Sequence, residues 1–174
     1  MAQAAGDKAG TNPFWTFSLE IYSSKAVQEA CVELQDVSGV DVNVMLYVLW
    51  LADRGRRLSV ADVRAVFDMV EAWRSEVVVP LRAARRALKV PPSAFEPGGT
   101  EALRNMVKKV ELEAERLQQW ALFGWRPSEQ IGVAAASRAE AAAANLDAYG
   151  KALGRELAAG PVGVMLEAHA SRAA

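Results

Sequence analysis

The chain has 174 residues, of which 52% are hydrophobic and 24% charged, values typical of one ordinary globular domain. Twenty lysines and arginines against twenty-one acidic residues leave a net charge of −1, which argues against binding to nucleic acid or anionic lipid through overall charge. A single cysteine, Cys31, and a single histidine, His169, exclude an internal disulfide and zinc sites built from these two residue types.

No stretch of the sequence predicts export or membrane insertion. The N-terminal residues, MAQAAGDKAGTNP, lack the basic start and the apolar run of a secretory signal. The longest apolar run, Val44 to Ala52, has nine residues, whereas a membrane-spanning helix needs roughly 20. We therefore expect a cytoplasmic protein that does not enter a membrane. Residues 1–11 are small and polar, and we expect a disordered tail there.

The first two helices are predicted by a cap and by apolar spacing. Asn12 followed by Pro13 is a typical helix start, because asparagine caps free N–H groups and proline suits the first turn. A second helix is predicted from Lys25 to Asp36. Its apolar face consists of Val27, Ala30, Cys31 and Leu34.

The stretch LQDVSGVDVNVMLYVLWLADRG, residues 34–55, predicts a turn followed by a buried helix. Gly39 interrupts the preceding helix, and Asp41 is placed to cap the next one. From Val42 to Ala52 that helix is apolar on every side except at Asn43. A helix without a polar face is surrounded by other elements, so we expect this one at the centre of the fold.

A long helix is predicted to begin at Ser59, with Asp62 completing a near capping box. Its apolar stripe continues to Leu88. Pro80 is expected to kink it, because proline lacks an N–H and crowds the preceding turn. The segment VPPSAFEPGG, residues 90–99, contains three prolines and two glycines and predicts a linker.

The next helix is predicted to begin after Thr100, which would act as its cap. It has the most regular apolar stripe of the chain, which we expect to face the core. The stripe consists of Leu103, Met106, Val107, Val110, Ala114, Leu117 and Ala121.

Alanine dominates the C-terminal part, from Gly132 to Ala159. Because alanine favours helix but buries little surface, we expect a helical extension that packs loosely or serves a partner. No alternation of apolar and polar residues predicts a strand. The predicted fold is all-α: a compact helical bundle of about five helices over residues 12–123, with an alanine-rich helical extension over residues 124–174.

Four polar residues around the turn at Gly39 are candidates for a binding site. Asp36, Asp41 and Asn43 offer oxygen ligands for a hard cation such as Mg²⁺, with Gln35 beside them. The two aspartates, however, are five residues apart with a glycine between them, so they do not share one helix face. Capping accounts for Asp41 and for Asn43 in the first turn, and it is the favoured interpretation.

Cations at spacings of three and four make one face of the long helix basic. They are Arg82, Arg85, Arg86 and Lys89, with Trp73 and Arg74 earlier on the same helix. The next helix carries Glu111, Glu113 and Glu115, which become partners of these arginines if the two helices pack antiparallel. Pairing within the chain is the favoured interpretation, ahead of an anionic ligand or acidic partner and ahead of nucleic acid.

The sequence offers little support for catalysis or for a resident cofactor. A serine or cysteine nucleophile needs a base, and the single histidine lies near the C-terminus. Glu111 and Glu115, one turn apart, lack the Glu-x-x-His pattern of di-iron proteins. Cys31 lies on an apolar helix face and is expected to be a core residue. We expect no metal and no cofactor.

Five segments, in this order, resemble those of one family. They are FWTFSLEIY, ACVELQD, GVDVNVMLYVLWLA, WRSEVVVPLRAARRALK and VKKVELEAERLQQ, and they reach from Phe14 to Gln119. The family consists of uncharacterised proteobacterial proteins with a domain of unknown function. The resemblance implies a bacterial, cytoplasmic, helical protein with a variable C-terminal part. It implies no activity, cofactor or catalytic residue.

The favoured function is non-enzymatic binding of another protein, or of a second copy, through the basic helix face and the alanine-rich extension. The alternative is a small-molecule or metal-dependent binder or enzyme with a pocket for an anionic substrate. That pocket would place Arg74, Arg82 or Arg85 opposite Gln35, Asp36, Asp41 and Asn43. Nucleic-acid binding through the basic face is the weakest alternative, because the chain has no overall positive charge.

Overall fold

A computed structural model describes residues 12–172, and these residues form an almost entirely helical fold. The α-helices are α1 (Pro13–Tyr22), α2 (Lys25–Ser38), α3 (Val42–Asp53), α4 (Val60–Trp73), α5 (Val79–Ala87), α6 (Pro97–Trp125), α7 (Arg138–Leu153) and α8 (Ala159–Ser171). Shorter elements are the strands β1 (Arg56–Arg57) and β2 (Val133–Ala134), a π-helical segment (Arg74–Val78) and a 3-10 helix (Ser128–Gln130). The predicted all-α class is confirmed.

The predicted central helix lies at the centre of the core. Every residue of α3 from Asn43 to Ala52 is buried. Gly39 ends α2 in the left-handed conformation, with a φ of 70°, and Asp41 then caps α3. The carboxylate of Asp41 accepts hydrogen bonds from the backbone N–H groups of Asn43, at 2.9 Å, and Val44, at 3.2 Å. The interpretation of this turn as a cap is confirmed.

Two other predicted helix starts are also confirmed. The side-chain oxygen of Asn12 accepts hydrogen bonds from the first free N–H groups of α1, and Pro13 occupies the first helical position. At the start of α4, Ser59 and Asp62 form a complete capping box. Local chemistry thus determines where these helices begin.

The chain from Val60 to Ala87 is one continuous helix with a change of geometry inside it. The π-helical segment Arg74–Val78 separates α4 from α5 and ends two residues before Pro80. A proline removes one helical hydrogen bond and crowds the carbonyl four residues earlier, which here belongs to Glu76. The expected perturbation at Pro80 therefore coincides with a wider helical turn.

The start of α6 differs from the prediction. Its cap is Glu96 and not Thr100, because the Glu96 carboxylate accepts hydrogen bonds from the N–H groups of Gly98, at 2.8 Å, and Gly99. Pro97 occupies the first helical position, where its missing N–H costs nothing. Residues that suggested a linker thus form the first turn of the helix.

The apolar stripe predicted for α6 does not face the core. Its largest members, Leu103, Met106, Val110 and Leu117, are exposed. The buried residues of this helix are instead Glu111, Ala114, Gln118, Gln119 and Leu122. Polar side chains occupy the inner face because each of the three finds hydrogen-bond partners on other helices.

The alanine-rich part belongs to the core and is not loosely packed. In α7, Ala141, Ala142 and Ala148 are buried, together with Leu146 and Tyr149. This helix packs against α3 and α4, and α8 packs against α2. Small side chains let α7 approach its neighbours closely. The helix is therefore buried along much of its surface, and not only at a few large side chains.

A short antiparallel ladder corrects the expectation that no strand occurs. Arg56 pairs with Ala134 and Arg57 with Val133. Gly132, with a φ of 64°, brings the chain so close that a Cβ atom there would lie 2.3 Å from the carbonyl oxygen of Arg57. The ladder depends on this tertiary contact. Its strands have only two residues each, so neither segment shows an alternation of apolar and polar residues.

Two further expectations concern the ends of the chain and membranes. The expected disordered tail falls on residues 1–11, which lie outside the described residues. Within residues 12–172, none of the helices combines the length and the apolar character that a membrane crossing requires.

Candidate functional site

The helices α5 and α6 form an antiparallel hairpin held by a cluster of acids and arginines. Arg82 donates from Nε to Oε1 of Glu111 at 3.1 Å, and its Nη2 bonds Glu115. Arg85 donates to both carboxylate oxygens of Glu111. These two arginines therefore have the favoured arrangement, in which they pair with acids of the next helix.

Glu111 is the centre of this cluster, and its carboxylate is almost fully buried. Burial raises the pKa of Glu111, but the hydrogen bonds from Arg85 and Arg82 outweigh burial and hold the pKa below its usual value. For Glu115, burial outweighs the attraction of Arg82, so the pKa of this carboxyl lies above its usual value. Glu111 is therefore the acid that the arginines keep ionised.

The remaining charged candidates pair elsewhere. Arg86 reaches Asp36 on α2 across an exposed surface. Glu113, expected among the partners of the basic face, instead accepts from Arg116 on its own helix at 2.6 and 2.8 Å. Three arginines of the predicted basic face, including Arg82 and Arg85, are thus engaged with acids of the same chain.

Asp41 belongs to a second polar cluster, at the start of α3. Besides capping the helix, its carboxylate accepts a hydrogen bond from Gln118 Nε2 at 2.8 Å and lies 3.5 Å from Nε of Arg74. The Tyr149 hydroxyl accepts from the Asp41 N–H at 2.8 Å and donates to the Asp41 carbonyl at 3.2 Å. Each oxygen of this carboxylate therefore already serves the fold.

Asn43 links the same cluster to the interior of the bundle. Its Oδ1 accepts a hydrogen bond from Gln119 Nε2 at 2.8 Å, and its Nδ2 lies 3.5 Å from Gln118 Oε1. Sequence reasoning missed both glutamines. A signal was available, because Gln118 and Gln119 follow Glu115 by three and four residues and therefore lie on its side of the helix.

The structure does not bring the candidate residues together into a metal site. Asp36 and Asp41 engage different arginines, and Trp73 donates from its indole nitrogen to the Ala114 carbonyl at 3.0 Å. Among residues 12–172, no group of three histidine, cysteine, aspartate or glutamate side chains could hold a metal ion. Cys31 is buried, and burial raises the pKa of its thiol to about 12, which disfavours the thiolate that a nucleophile requires.

The outer side of α6 carries exposed apolar side chains that the polar clusters leave unexplained. We call Leu103, Met106, Val110 and Leu117 the apolar face of α6. These four side chains are between 43% and 58% exposed. No residue of α5 is buried, and none of α6 before Glu111 is buried. The hairpin therefore presents an apolar stripe outside the core.

Comparison with known proteins identifies a family but no function. Residues 13–122 match the family model described as "Protein of unknown function (DUF2390)". This range agrees with the predicted resemblance, which reached from Phe14 to Gln119. It includes the acid–arginine cluster of the hairpin and all of the second polar cluster except Tyr149. No curated protein and no solved structure matches the chain.

Proposed function

The chain belongs to this family of proteins of unknown function, DUF2390, and we propose that it acts by binding another protein through the apolar face of α6. The observation that carries the proposal is the exposure of four large apolar side chains on one side of a single helix. Single exposed apolar residues are common on protein surfaces, whereas a contiguous stripe of them marks an interaction site.

The spacing of the stripe indicates the kind of partner. Leu103, Met106, Val110 and Leu117 are separated by three, four and seven residues, which is the spacing of a seam between two packed helices. Helical partners bind such a seam with their own apolar side chains at the same intervals. The proposed partner therefore presents an amphipathic α-helix, and a second copy of this chain is the first partner to test.

The position of the stripe on the α5–α6 hairpin supports this role. Helices derive most of their stability from burying an apolar face, and ion pairs at a protein surface contribute little. In this hairpin the buried contacts begin only at Glu111, so the preceding turns of α6 have an apolar side that nothing in the described core covers. A bound helix would supply that cover.

The two surfaces that the sequence favoured give the proposal no support. Arg82, Arg85 and Arg86 of the basic face are paired with acids of the same chain. A phosphate or an acidic partner would have to displace those acids, which also weakens the nucleic-acid alternative. The alanine-rich helix α7 is packed against α3 and α4 and has little surface to offer. We further propose that binding is non-enzymatic and takes place in the bacterial cytoplasm.

The test compares two substitutions of similar exposure on the same helix. Val110→Gln changes the apolar face of α6, whereas Leu112→Gln changes a residue of equal exposure, 54%, two positions away and directed elsewhere. Sedimentation velocity of the purified protein over a wide concentration range measures self-association. We expect Val110→Gln to weaken it by about ten-fold, as for a central interface residue, and Leu112→Gln to leave it unchanged.

If the unsubstituted protein remains monomeric, the same pair of variants is used in affinity capture from the native bacterium. The proposal requires a captured protein that Val110→Gln loses and Leu112→Gln retains. The proposal is contradicted if the protein is monomeric and every captured protein binds the two variants equally well, or if no protein is captured. Equal effects of the two substitutions would also contradict it.

A further inference from the structure

A groove lies where the ends of α3 and α6 meet the start of α1. Its volume is about 430 Å³, which is within the range of sites for small molecules. Pro13 of α1, Trp50 of α3 and Phe123 of α6 line it, together with the segment that follows α6. None of these residues belongs to the apolar face of α6, so the groove is distinct from the surface proposed above for protein binding.

Two arginines that line this groove have no acidic partner. Arg54 follows the last residue of α3, Arg126 follows the last residue of α6, and both side chains are exposed. Among residues 12–172, neither guanidinium forms an ion pair or a hydrogen bond, whereas most arginines of the chain pair with an acid. Their N–H groups are therefore available to a molecule in the groove.

A third arginine, Arg56, adds positive charge beside the groove. Its guanidinium donates to the carbonyls of Ile131 at 2.9 Å and Gly132 at 2.6 Å, and these neutral acceptors do not cancel its charge. The acidic side chain of the groove lining is Glu129. Hydrogen bonds to its carboxylate lower the pKa of Glu129 most, and the positive charges of Arg54 and Arg56 lower this pKa further. Both arginines therefore act on the same part of the groove.

The balance of charges at the groove favours an anion. Arg54, Arg56 and Arg126 face one acidic side chain, Glu129. The ends of α3 and α6 carry partial negative charge and the start of α1 carries partial positive charge, about half a unit charge at each end. The dipoles of α3 and α6 account for arginines at these two positions, but they leave the N–H groups without acceptors. The three guanidinium charges outweigh Glu129 and the helix ends together, so the groove has a positive potential in a chain of net charge −1.

One of the two unpaired arginines is restricted by an aromatic ring. Cζ of Arg126 lies 4.4 Å from the centre of the Trp125 ring, which is a cation–π contact. This contact limits the motion of the side chain and supplies no oxygen acceptor for its N–H groups. A guanidinium held in this way loses less freedom when it binds a phosphate, and its planar group can form two parallel hydrogen bonds to phosphate oxygens.

Apolar surface lies next to the arginines. The rings of Trp50 and Phe123 pack edge to face, with 5.8 Å between their centres. Trp50 is only 6% exposed, so the partly exposed Phe123 and the exposed Pro13 provide most of the accessible apolar surface of the groove. Such a surface suits a planar ring, which would bury apolar area that is now in contact with water.

We infer that the groove at the ends of α3 and α6 binds a small phosphate monoester whose phosphate is attached to a planar ring system. Arg54 and Arg126 hold the phosphate, and the ring lies against Phe123 and Pro13. A phosphate monoester carries between one and two negative charges at neutral pH and therefore matches two unpaired guanidinium groups better than a carboxylate does. This inference does not depend on the protein-binding proposal, because the two use different residues.

The experiment uses 2-naphthyl phosphate as the probe, 2-naphthol as the matched ring without phosphate, and inorganic phosphate as the anion without a ring. Binding to the full chain is measured by isothermal titration calorimetry at low and at high salt. We expect 2-naphthyl phosphate to bind, and 2-naphthol to bind about ten-fold or more weakly because the arginines then stay unpaired. Inorganic phosphate should bind about five-fold or more weakly because it buries no apolar surface. High salt should weaken the binding of 2-naphthyl phosphate, since the arginines are exposed.

Substitutions place the bound probe in the groove. Arg54→Gln and Arg126→Gln are each expected to weaken the binding of 2-naphthyl phosphate about five-fold or more. The matched control is Arg64→Gln, which removes the same charge from an exposed position of α4 outside the groove and should leave the affinity unchanged. Glu129→Gln should strengthen binding about two-fold or more, because it removes the opposing charge. Val110→Gln, on the apolar face of α6, should have no effect.

The same variants separate binding from folding. Neither Arg54 nor Arg126 bonds another described residue through its guanidinium, apart from the contact of Arg126 with the Trp125 ring. Arg54→Gln should therefore leave the melting temperature of the free protein unchanged. Bound 2-naphthyl phosphate should raise the melting temperature of the unsubstituted protein and of Arg64→Gln, and should raise that of Arg54→Gln less.

Several results would overturn the inference. One is the failure of 2-naphthyl phosphate to bind at millimolar concentration, and another is equal affinity for 2-naphthyl phosphate and 2-naphthol. A third is an effect of Arg64→Gln as large as those of Arg54→Gln and Arg126→Gln, and a fourth is weaker binding by Glu129→Gln. If a single-stranded oligonucleotide binds while 2-naphthyl phosphate does not, the arginines belong to a nucleic-acid surface and not to a small-molecule site.

Discussion

The side-chain oxygen of Asn145 accepts a hydrogen bond from the backbone N–H of Leu58 at 2.7 Å. The same side chain donates from Nδ2 to the carbonyl of Val48 at 2.8 Å and to the carbonyl of Arg56 at 3.0 Å. Asn145 is completely buried. One residue of α7 thereby bonds three backbone groups: the Val48 carbonyl inside α3, and the Arg56 carbonyl and Leu58 N–H beyond the end of that helix.

We predict that Asn145→Ala destabilises the protein more than a typical core substitution. The change leaves the buried Leu58 N–H without its acceptor and removes the donor to the Val48 and Arg56 carbonyls, and we expect a loss of about 3 kcal/mol in the free energy of unfolding. Urea unfolding followed by tryptophan fluorescence measures it. Asn105→Ala, at an exposed position of α6, is the control and should change stability by less than about 0.5 kcal/mol. Equal effects would contradict the role assigned to Asn145.

The central helix and the helix starts could be predicted because their signals are local. Asp41 and Ser59 act on N–H groups within three residues of themselves. Residues 42–52 are apolar on every side, so any fold that buries them must surround them. The interactions that define these elements involve residues close to one another in the sequence, so a local reading of the sequence finds them.

The orientation of α6 could not be predicted because its cause is distant in the sequence. Glu111 is buried only because Arg82 and Arg85 meet it, and Gln119 only because Asn43 does. A hydrophobic pattern assigns such polar residues to the solvent side, and it therefore placed the apolar face of α6 in the core. The alanines of α7 were misjudged for a related reason, since their burial depends on how closely α3 approaches.

The candidate site was predicted in part. The pairing of the long helix's arginines with Glu111 and Glu115 follows from an antiparallel hairpin, and the structure contains it. Gln118 and Gln119 were missed because amides carry no charge to suggest a partner. The unpaired oxygen of Gln119 is a property of three-dimensional packing, and no sequence pattern reports it.

We predict that Glu111→Gln destabilises the protein, whereas Glu113→Gln does not. Glu111 is buried and receives hydrogen bonds from Arg82 and Arg85, so neutralising it leaves two partly buried guanidinium groups with weaker acceptors. We expect a loss of about 2 kcal/mol, less than for a fully buried pair because both arginines keep some contact with water. Glu113 pairs with Arg116 on an exposed surface of the same helix. Urea unfolding of both variants at neutral pH, at low and at high salt, tests this, since salt screens a surface pair and screens a buried pair much less.

His169 is the single histidine of the chain, and we predict that its pKa makes the stability of the protein depend on pH. His169 on α8 is buried, and its Nε2 lies 3.9 Å from Oδ1 of Asp53. Burial lowers the pKa of His169 below its usual value of 6.5, and the positive charges of Arg138 and Arg172 lower the pKa further. A hydrogen bond with the backbone of Leu49 acts in the opposite direction. Asp53 does not hold His169 in its protonated, charged form, because the Asp53 carboxylate already pairs with Arg138 and Arg172.

The sign of the resulting pH dependence follows from proton binding. As pH falls through about 6.5, the unfolded chain binds a proton that the folded chain does not, so folding stability falls by at most about 1.4 kcal/mol per pH unit until the folded-state pKa is reached. Glu115 contributes with the opposite sign, since its raised pKa makes the folded chain bind a proton first as pH falls. Unfolding free energies measured between neutral pH and the pKa range of the carboxylates should therefore decline for the unsubstituted protein and decline less for His169→Gln. The imidazole proton resonances of the single histidine report its pKa directly, and a measured value of 6.5 or higher would contradict the packing of α8 described here.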